Sequence, residues 1–251
     1  MGTLRPLSIA IIGSSLSGIL TASVLSKLGF KNLHIFDRSS SWSALTQNCK
    51  KPLLVPVNGT HLMNKFLLKP YQKELENQSI RLPTWIQCNK RLQTIDKYSP
   101  NTLLKFKTQS QSISIENSTL LDILSSSLSS NVKKHFQVTV NGMKPLVSSK
   151  SNYPQFSLEL NQKNIIDKND NKFDLIVGAD GERSTIRTLV FGPNRHLRTY
   201  GGLLIDGLAP YEPSIDLDVS ESITEVWSNG IRIGLFPVLV NAQFGDSYVA
   251  T

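Results

Sequence analysis

Phe173-Asp-Leu-Ile-Val-Gly-Ala-Asp-Gly-Glu-Arg-Ser-Thr-Ile-Arg187 reads as an apolar strand running into an acidic turn and then a helix start. It takes its meaning from a partner near the N-terminus, Ser8-Ile-Ala-Ile-Ile-Gly-Ser-Ser-Leu-Ser-Gly18, an apolar strand running into a glycine turn and then a helix. Two strand–turn–helix sites so far apart in sequence imply one long, two-ended ligand.

Around the first site the text predicts a βαβ unit. Ile9–Ile12 read as a fully buried strand, Ser17–Leu28 as a helix and Asn32–Phe36 as a second, parallel strand, with Gly29 just past the last helical turn. Downstream, a helix is predicted after Pro56, with Leu62, Met63, Phe66 and Leu67 at helical spacing. Trp85–Leu104 is polar, turn-rich and sheet-like, and Leu120–Leu128 is a short helix. Val138–Val140 and Phe156–Leu160 read as antiparallel strands joined by a loop holding Ser148–Asn152. Asn161–Lys172 is a polar turn region, and Phe173–Val177 follows as a buried strand. After Arg187 the strands Leu203–Leu208, Ile223–Trp227, Ile231–Phe236 and Ser247–Ala250 are expected in a second sheet, with Asn229-Gly230 as a hairpin turn.

A dinucleotide such as FAD suits the paired sites. In such a fold the first glycine permits the tight turn, the second admits the pyrophosphate and the third lets helix and strand pack. The pyrophosphate then rests on N–H groups at the positive helix end. Gly13 and Gly18 fill the first and third places, and Ser15 stands in the second. Leu16 and Ser17 complete the turn. Asp37, nineteen residues after Gly18, is the acid expected to hold a ribose hydroxyl pair, and Arg38 beside it faces either the adenosine or water. A purely structural βαβ is the competing reading. Strand, turn, helix, strand and acid in register favour nucleotide binding.

In the second site Asp180 stands where a buried strand ends. An enclosed carboxylate needs hydrogen-bond donors, and a ribose hydroxyl is one. Gly178 and Gly181 keep the backbone thin enough for a ligand. Ser184 is placed to cap the following helix, a structural role. His34, His61, His135 and His196 form no sequence cluster. No metal site is expected, and no elbow serine, zinc helix or phosphate-loop lysine is present.

Composition bounds the rest. The 251 residues are 39% hydrophobic and 18% charged, enough for one large or two modest domains. A net charge of +8 favours anionic ligands, but no arginine-rich or aromatic–basic run concentrates it, which speaks against nucleic acid. Cys49 and Cys88 lack metal-ligand spacing and fit a reducing, cytoplasmic setting. Leu7–Ser26 carries no charge, yet Ser8, Ser14, Ser15, Ser17 and Ser23 with Gly13 and Gly18 break it into strand and helix, so no membrane span is expected. Arg5 leaves a signal peptide as the alternative, and peripheral membrane contact stays open.

These residues resemble the class A flavoprotein monooxygenases, the group of para-hydroxybenzoate and salicylate hydroxylases, kynurenine monooxygenase and zeaxanthin epoxidase. The glycine turn with Asp37 and the block Asp174–Arg187 carry the likeness. Weaker echoes are Leu54-Val-Pro-Val-Asn-Gly-Thr-His-Leu-Met and Trp227-Ser-Asn-Gly-Ile-Arg-Ile-Gly-Leu-Phe-Pro237. The resemblance implies a mixed α/β fold with a Rossmann-like FAD-binding domain of the glutathione-reductase type and a second, mainly antiparallel substrate sheet. On that pattern residues 1–190 form the FAD domain, with substrate-side strands inserted around 51–110, and 191–251 begin the substrate sheet. It also implies NAD(P)H as electron donor and oxygen insertion into an aromatic or isoprenoid small molecule. Gly13, Ser15, Leu16, Ser17, Gly18, Asp37, Arg38, Asp180 and Gly181 would hold the cofactor. No side chain is singled out as catalytic.

The text departs from the family in three ways. Ser15 replaces a glycine, and Asn117 stands where an arginine usually reaches the cofactor. The family's third motif, a Gly-Asp-Ala-Ala-His type turn, is missing, and Gly245-Asp246 does not reproduce it. The text also stops inside an expected strand, which reads as an incomplete chain. A truncated or degenerate, non-catalytic nucleotide-binding relative is therefore the second reading. A dehydrogenase using one Rossmann unit is the third, and it leaves Asp180 unexplained.

Overall fold

The computed structural model describes residues 7–47, 51–99, 110–146, 154–161, 171–193, 207–210, 221–239 and 247–250. The expected loop at 148–152, most of the polar turn after Asn161, most of the strand begun at Leu203, and Gly245-Asp246 lie outside them.

The chain opens with β1 (Ser8–Ile12), α1 (Leu16–Lys27), β2 (Asn32–Phe36), α2 (Trp42–Gln47), β3 (Pro52–Val55), α3 (Val57–Phe66) and α4 (Lys69–Asn77). It continues with β4 (Ile80–Leu82), β5 (Thr84–Asn89), β6 (Thr94–Tyr98), β7 (Ser112–Glu116), α5 (Asn117–Ser126) and β8 (Val132–His135). The last part holds β9 (Val140–Leu146), β10 (Gln155–Leu160), β11 (Leu175–Gly178), α6 (Thr185–Phe191), β12 (Leu208–Pro210), β13 (Ser222–Ser228), β14 (Ile231–Leu239) and β15 (Ser247–Ala250). These fall into two compact units, Met1–Asn48 with Leu124–Gly201, and Cys49–Ile123 with Gly202–Thr251.

The first unit is built on a parallel sheet in the order β11-β1-β2-β8. Every residue of β1 is buried because both faces of the sheet are covered. Ile9, Ile11, Leu33, Ile35 and Val132 pack with Ala22 of α1 on one face. Ala10, Ile12 and Phe36 pack on the other with Val140, Leu158 and Ile186, from β9, β10 and α6. This two-sided burial is why a continuous apolar run, and not an alternating one, makes a strand here. Helix α1 ends in a Schellman turn. Gly29, at φ 94°, donates to Ser26 O (3.1 Å), and Phe30 N donates to Leu25 O (3.1 Å).

Two strand expectations shift. The pair predicted at Val138–Val140 and Phe156–Leu160 is antiparallel, but its first strand starts at Val140 and runs to Leu146. The strand from Phe173 is shorter and more open than its apolar text suggests. Phe173 joins only by a bridge to Phe156, and Leu175 is 48% exposed, because β11 is the sheet edge among the described residues.

Spacing in sequence also hid a histidine pair. His34, fully buried on β2, sits 3.1 Å (Nδ1 to Nε2) from His135 at the end of β8. His34 Nε2 lies 3.0 Å from Asn32 Oδ1, an acceptor, and in the tautomer that donates there Nδ1 accepts from His135. Burial, and then the charge of Lys133, hold the His135 pKa below its ordinary 6.5. The unfolded chain therefore binds the proton more readily, and the folded state loses stability as pH falls from about 6.5 toward the lowered value. The urea midpoint is expected to drop between about pH 7.5 and 5.5, and to drop less in His135→Phe, whose ring keeps the stack on Phe36 (centroids 4.6 Å apart). Equal drops in both proteins would remove His135 from the account.

The second unit holds two sheets. β3-β7-β4 is antiparallel, and β12-β15-β14-β13-β5-β6 is antiparallel apart from the parallel pairing of β13 with β5. Ser228 pairs with Ile231, so Asn229-Gly230 forms the two-residue turn expected of it, with Gly230 at φ 75°. In α3 the inward residues are Val57, Thr60 and Met63, while Leu62 is exposed. Helix α5 begins at Asn117, earlier than its apolar text at Leu120. Among the described residues no helix is long and apolar enough to cross a membrane.

Candidate functional site

In the first unit a cavity of about 120 Å³ opens where β1, β2 and β11 end, and Gly13, Asp37, Arg38, Asp180 and Arg183 line it. Strand β1 connects through α1 to β2 on one side and pairs with the distant β11 on the other. The crevice thus stands at the carboxyl ends of parallel strands where the strand order reverses, the usual ligand position of open α/β sheets.

Backbone packing explains two of the glycines. Gly13 sits at φ 103°, and a Cβ built on it would lie 2.2 Å from Ala179 O, which ties the first turn to the second motif. A Cβ on Gly18 would lie 1.9 Å from Gly13 O, so the third glycine lets α1 press onto the turn. Both close approaches are made by the chain itself. Ser15, in the second-glycine place, is exposed and lies outside the cavity lining. Its hydroxyl is 3.3 Å from Ser17 Oγ and makes no cap bond to α1. The first-turn N–H groups, at Leu16, Ser17 and Gly18, are left uncapped by that side chain.

Asp37 is a clamp. Its Oδ2 accepts from Ser14 N–H and from the Ser14 hydroxyl, both at 2.7 Å, and Oδ1 accepts from Ser39 N–H at 2.8 Å. Backbone bonds hold it on both sides, from Asp37 N to His135 O (2.9 Å) and from Val138 N to Asp37 O (2.9 Å). Burial pushes its pKa up, but the hydrogen bonds from Ser39 and Ser14 outweigh that and set it below the ordinary 3.8. A carboxylate offers about four lone-pair sites. Ser14 and Ser39 between them take up most of these.

Asp180 departs from the reason the sequence offered for it. Its Oδ1 accepts from the Ser184 hydroxyl (2.6 Å) and its Oδ2 from Ile186 N–H (3.1 Å), so its donors come from the start of α6 and not only from a ligand. Ser184 caps that helix as expected, accepting from Arg187 N–H at 2.9 Å. Ser184→Ala should cost about 1 kcal/mol and lower the thermal midpoint by roughly 2–4 °C. An unchanged melting curve would contradict the capping role. Gly181, at φ 79°, does not line the cavity, and a Cβ built there meets nothing within 4 Å.

Arg183 joins Arg38 at the cavity, and sequence reasoning passed over it although it stands inside the motif. Both are exposed, and neither forms an ion pair among the described residues. With Asp37 and Asp180 already bonded, the cavity is lined by two arginines and by Gly13, whose turn leads into the uncapped start of α1. That donor set fits a diphosphate. Among the described residues no His, Cys, Asp or Glu group is placed to hold a metal ion.

No protein-family model and no curated protein matches this chain. Solved structures do. PqsL of Pseudomonas aeruginosa in complex with 2-aminobenzoylacetate superposes with a TM-score of 0.69 at 13% identity, covering 97% of this chain and 60% of its own. The same protein is described elsewhere as a probable FAD-dependent monooxygenase. CtdE in complex with FAD gives 0.66 at 10% identity, with 98% and 58% covered. The p-nitrophenol 4-monooxygenase PnpA from Pseudomonas putida DLL-E4 gives 0.63 at 14% identity, with 97% and 57% covered. The chain spans 57–60% of the length of these proteins.

Proposed function

Starting from a fold shared with FAD-dependent monooxygenases, we propose that this chain binds FAD and belongs to an NAD(P)H-dependent monooxygenase acting on an aromatic or isoprenoid small molecule in the cytoplasm. The observation that carries the reading is the meeting of Gly13, Asp37 and Asp180 at one cavity, beside an α1 start that Ser15 does not cap.

The first-turn N–H groups of α1 would hold the diphosphate. Arg38 and Arg183 would balance its charge, and the Asp37 carboxylate would accept from a ribose hydroxyl. Ser14, fixed by Asp37, keeps the turn in shape for this. When bound, the flavin supplies hydride acceptance from NAD(P)H and activation of dioxygen. The overall change is substrate–H, NAD(P)H, a proton and O2 to substrate–OH, NAD(P)⁺ and water. The free, buried thiol of Cys88 is in keeping with a reducing compartment.

A nucleotide-binding protein without turnover is the second reading, favoured by Ser15 and by the in-chain partners of both carboxylates. Titration of the purified chain with FAD, followed by flavin fluorescence, is expected to saturate at one FAD per chain. NAD(P)H consumption then separates the two readings. Saturable FAD binding without it would favour the second, and no FAD signal at millimolar concentration would overturn both.

A further inference from the structure

A second cavity is larger than the one at Asp37. It lies within the second unit, among α3, α4, β4 and β7, and has a volume of about 570 Å³. That is within the usual span of small-molecule sites, roughly 300–1,000 Å³. Leu75 and Ile113, both buried, supply its apolar part. The rest of the described lining is polar, including Thr60, Asn64, Ser79 and Gln111.

Two features of that lining select a ligand. The first is charge. Arg81 and Glu76 both line the cavity and pair with each other at 3.2 Å, so the guanidinium and carboxylate cancel. Between them the two side chains supply no net charge to favour an anion or a cation.

The second is where the hydroxyl protons go. Ser79 Oγ donates to Leu75 O at 2.6 Å, and Thr60 Oγ1 donates to Pro56 O at 3.4 Å. Asn64 Nδ2 donates to Ser110 Oγ at 3.4 Å. With these protons committed to the protein, the hydroxyl oxygens and the Asn64 carbonyl are left as acceptors. A bound molecule must therefore bring donors to these atoms, together with acceptors for the second Asn64 N–H and the Gln111 amide. An aromatic hydrocarbon brings too few and would strand the polar wall without water.

We infer that this cavity is a second ligand site, for a neutral, hydroxyl-rich small molecule such as a sugar or polyol, separate from the dinucleotide cavity of the first unit. Sugar C–H faces would lie against Leu75 and Ile113 while the O–H groups donate to Thr60, Ser79 and Asn64. The inference does not depend on FAD binding.

Maltose is a suitable probe, titrated into residues 1–251 and followed by saturation-transfer NMR. Saturable binding is expected. Thr60→Val removes an acceptor at nearly constant shape and should weaken it about five-fold or more, as should Ser79→Ala. Neither change should alter FAD affinity measured on the same samples. Glucuronate, which adds a carboxylate, and salicylate, which replaces hydroxyls by a ring, should not displace maltose. The proposal is overturned by the absence of a maltose signal on the wild type, by unchanged affinity in a folded Thr60→Val or Ser79→Ala, or by displacement with salicylate. The wild-type titration and the competition stand even where a variant fails to fold.

Discussion

Gly18→Ala is expected to destabilise the protein, although by helix propensity alone it should do the reverse. Alanine inside a helix is favoured over glycine by about 0.8–1.0 kcal/mol. Here the added methyl would lie 1.9 Å from Gly13 O, a backbone atom that cannot rotate away. Gly13 is itself fixed by its N–H bond to Phe36 O (2.8 Å). Helix α1 must therefore lift off the turn, which strips contact from Ala22 and Ile19. Overpacking of this kind costs about 1–3 kcal/mol and occasionally more. The expected fall in thermal midpoint is roughly 6–12 °C at the upper end of that range. Gly181→Ala is the internal control. It meets no atom within 4 Å and bears only the strain of φ 79°, so it should lower the midpoint by less. A Gly18→Ala protein that melts at or above the wild-type temperature would mean that α1 does not pack against this turn as described.

The same contact marks what the sequence could and could not disclose. The strands β1 and β2 and helix α1 were legible because each is specified locally. A five-residue apolar run, a glycine turn and a glycine stop leave few alternatives. The pairing of β13 with β5 was not legible, because parallel partners far apart in sequence leave no local mark on either strand. The exposure of β11 was not legible either. Phe173-Asp-Leu-Ile-Val reads the same whether another strand covers its outer edge or not, and topology alone decides. Of the nine residues named as cofactor holders, Gly13, Asp37, Arg38 and Asp180 line one cavity, while Ser15, Leu16, Ser17, Gly18 and Gly181 do not. Sequence carried the approach of the two motifs, since both end neighbouring strands. It could not say that Asp180 also serves the start of α6, because Ser184 and Ile186 meet its carboxylate only once the turn is folded.

Asp37→Ala is expected to act on stability and on ligand binding, and pH separates the two effects. Removing the carboxylate leaves Ser14 N–H, the Ser14 hydroxyl and Ser39 N–H without their acceptor. Ser14 is fully buried, so water cannot easily replace what is lost. Because the folded-state pKa of Asp37 is held below 3.8, its contribution is fully present above about that pH and is lost as pH falls through the lowered value. The urea midpoints of wild type and variant should therefore stand furthest apart near neutrality and converge in acid. A gap of the same size at about pH 7 and pH 2.5 would refute the clamp. FAD affinity should fall as well, since a hydrogen bond to a charged group is worth about 1.5–3 kcal/mol, or roughly ten- to hundred-fold in Kd. Asp37→Asn distinguishes direct contact from a spoiled turn. Its carbonyl oxygen can still accept at one side of the clamp, so it should recover part of the stability lost in Asp37→Ala. The missing charge should leave FAD binding nearly as weak. If Asn restored both together, Asp37 would act on the cofactor only by holding Ser14 and Ser39 in place.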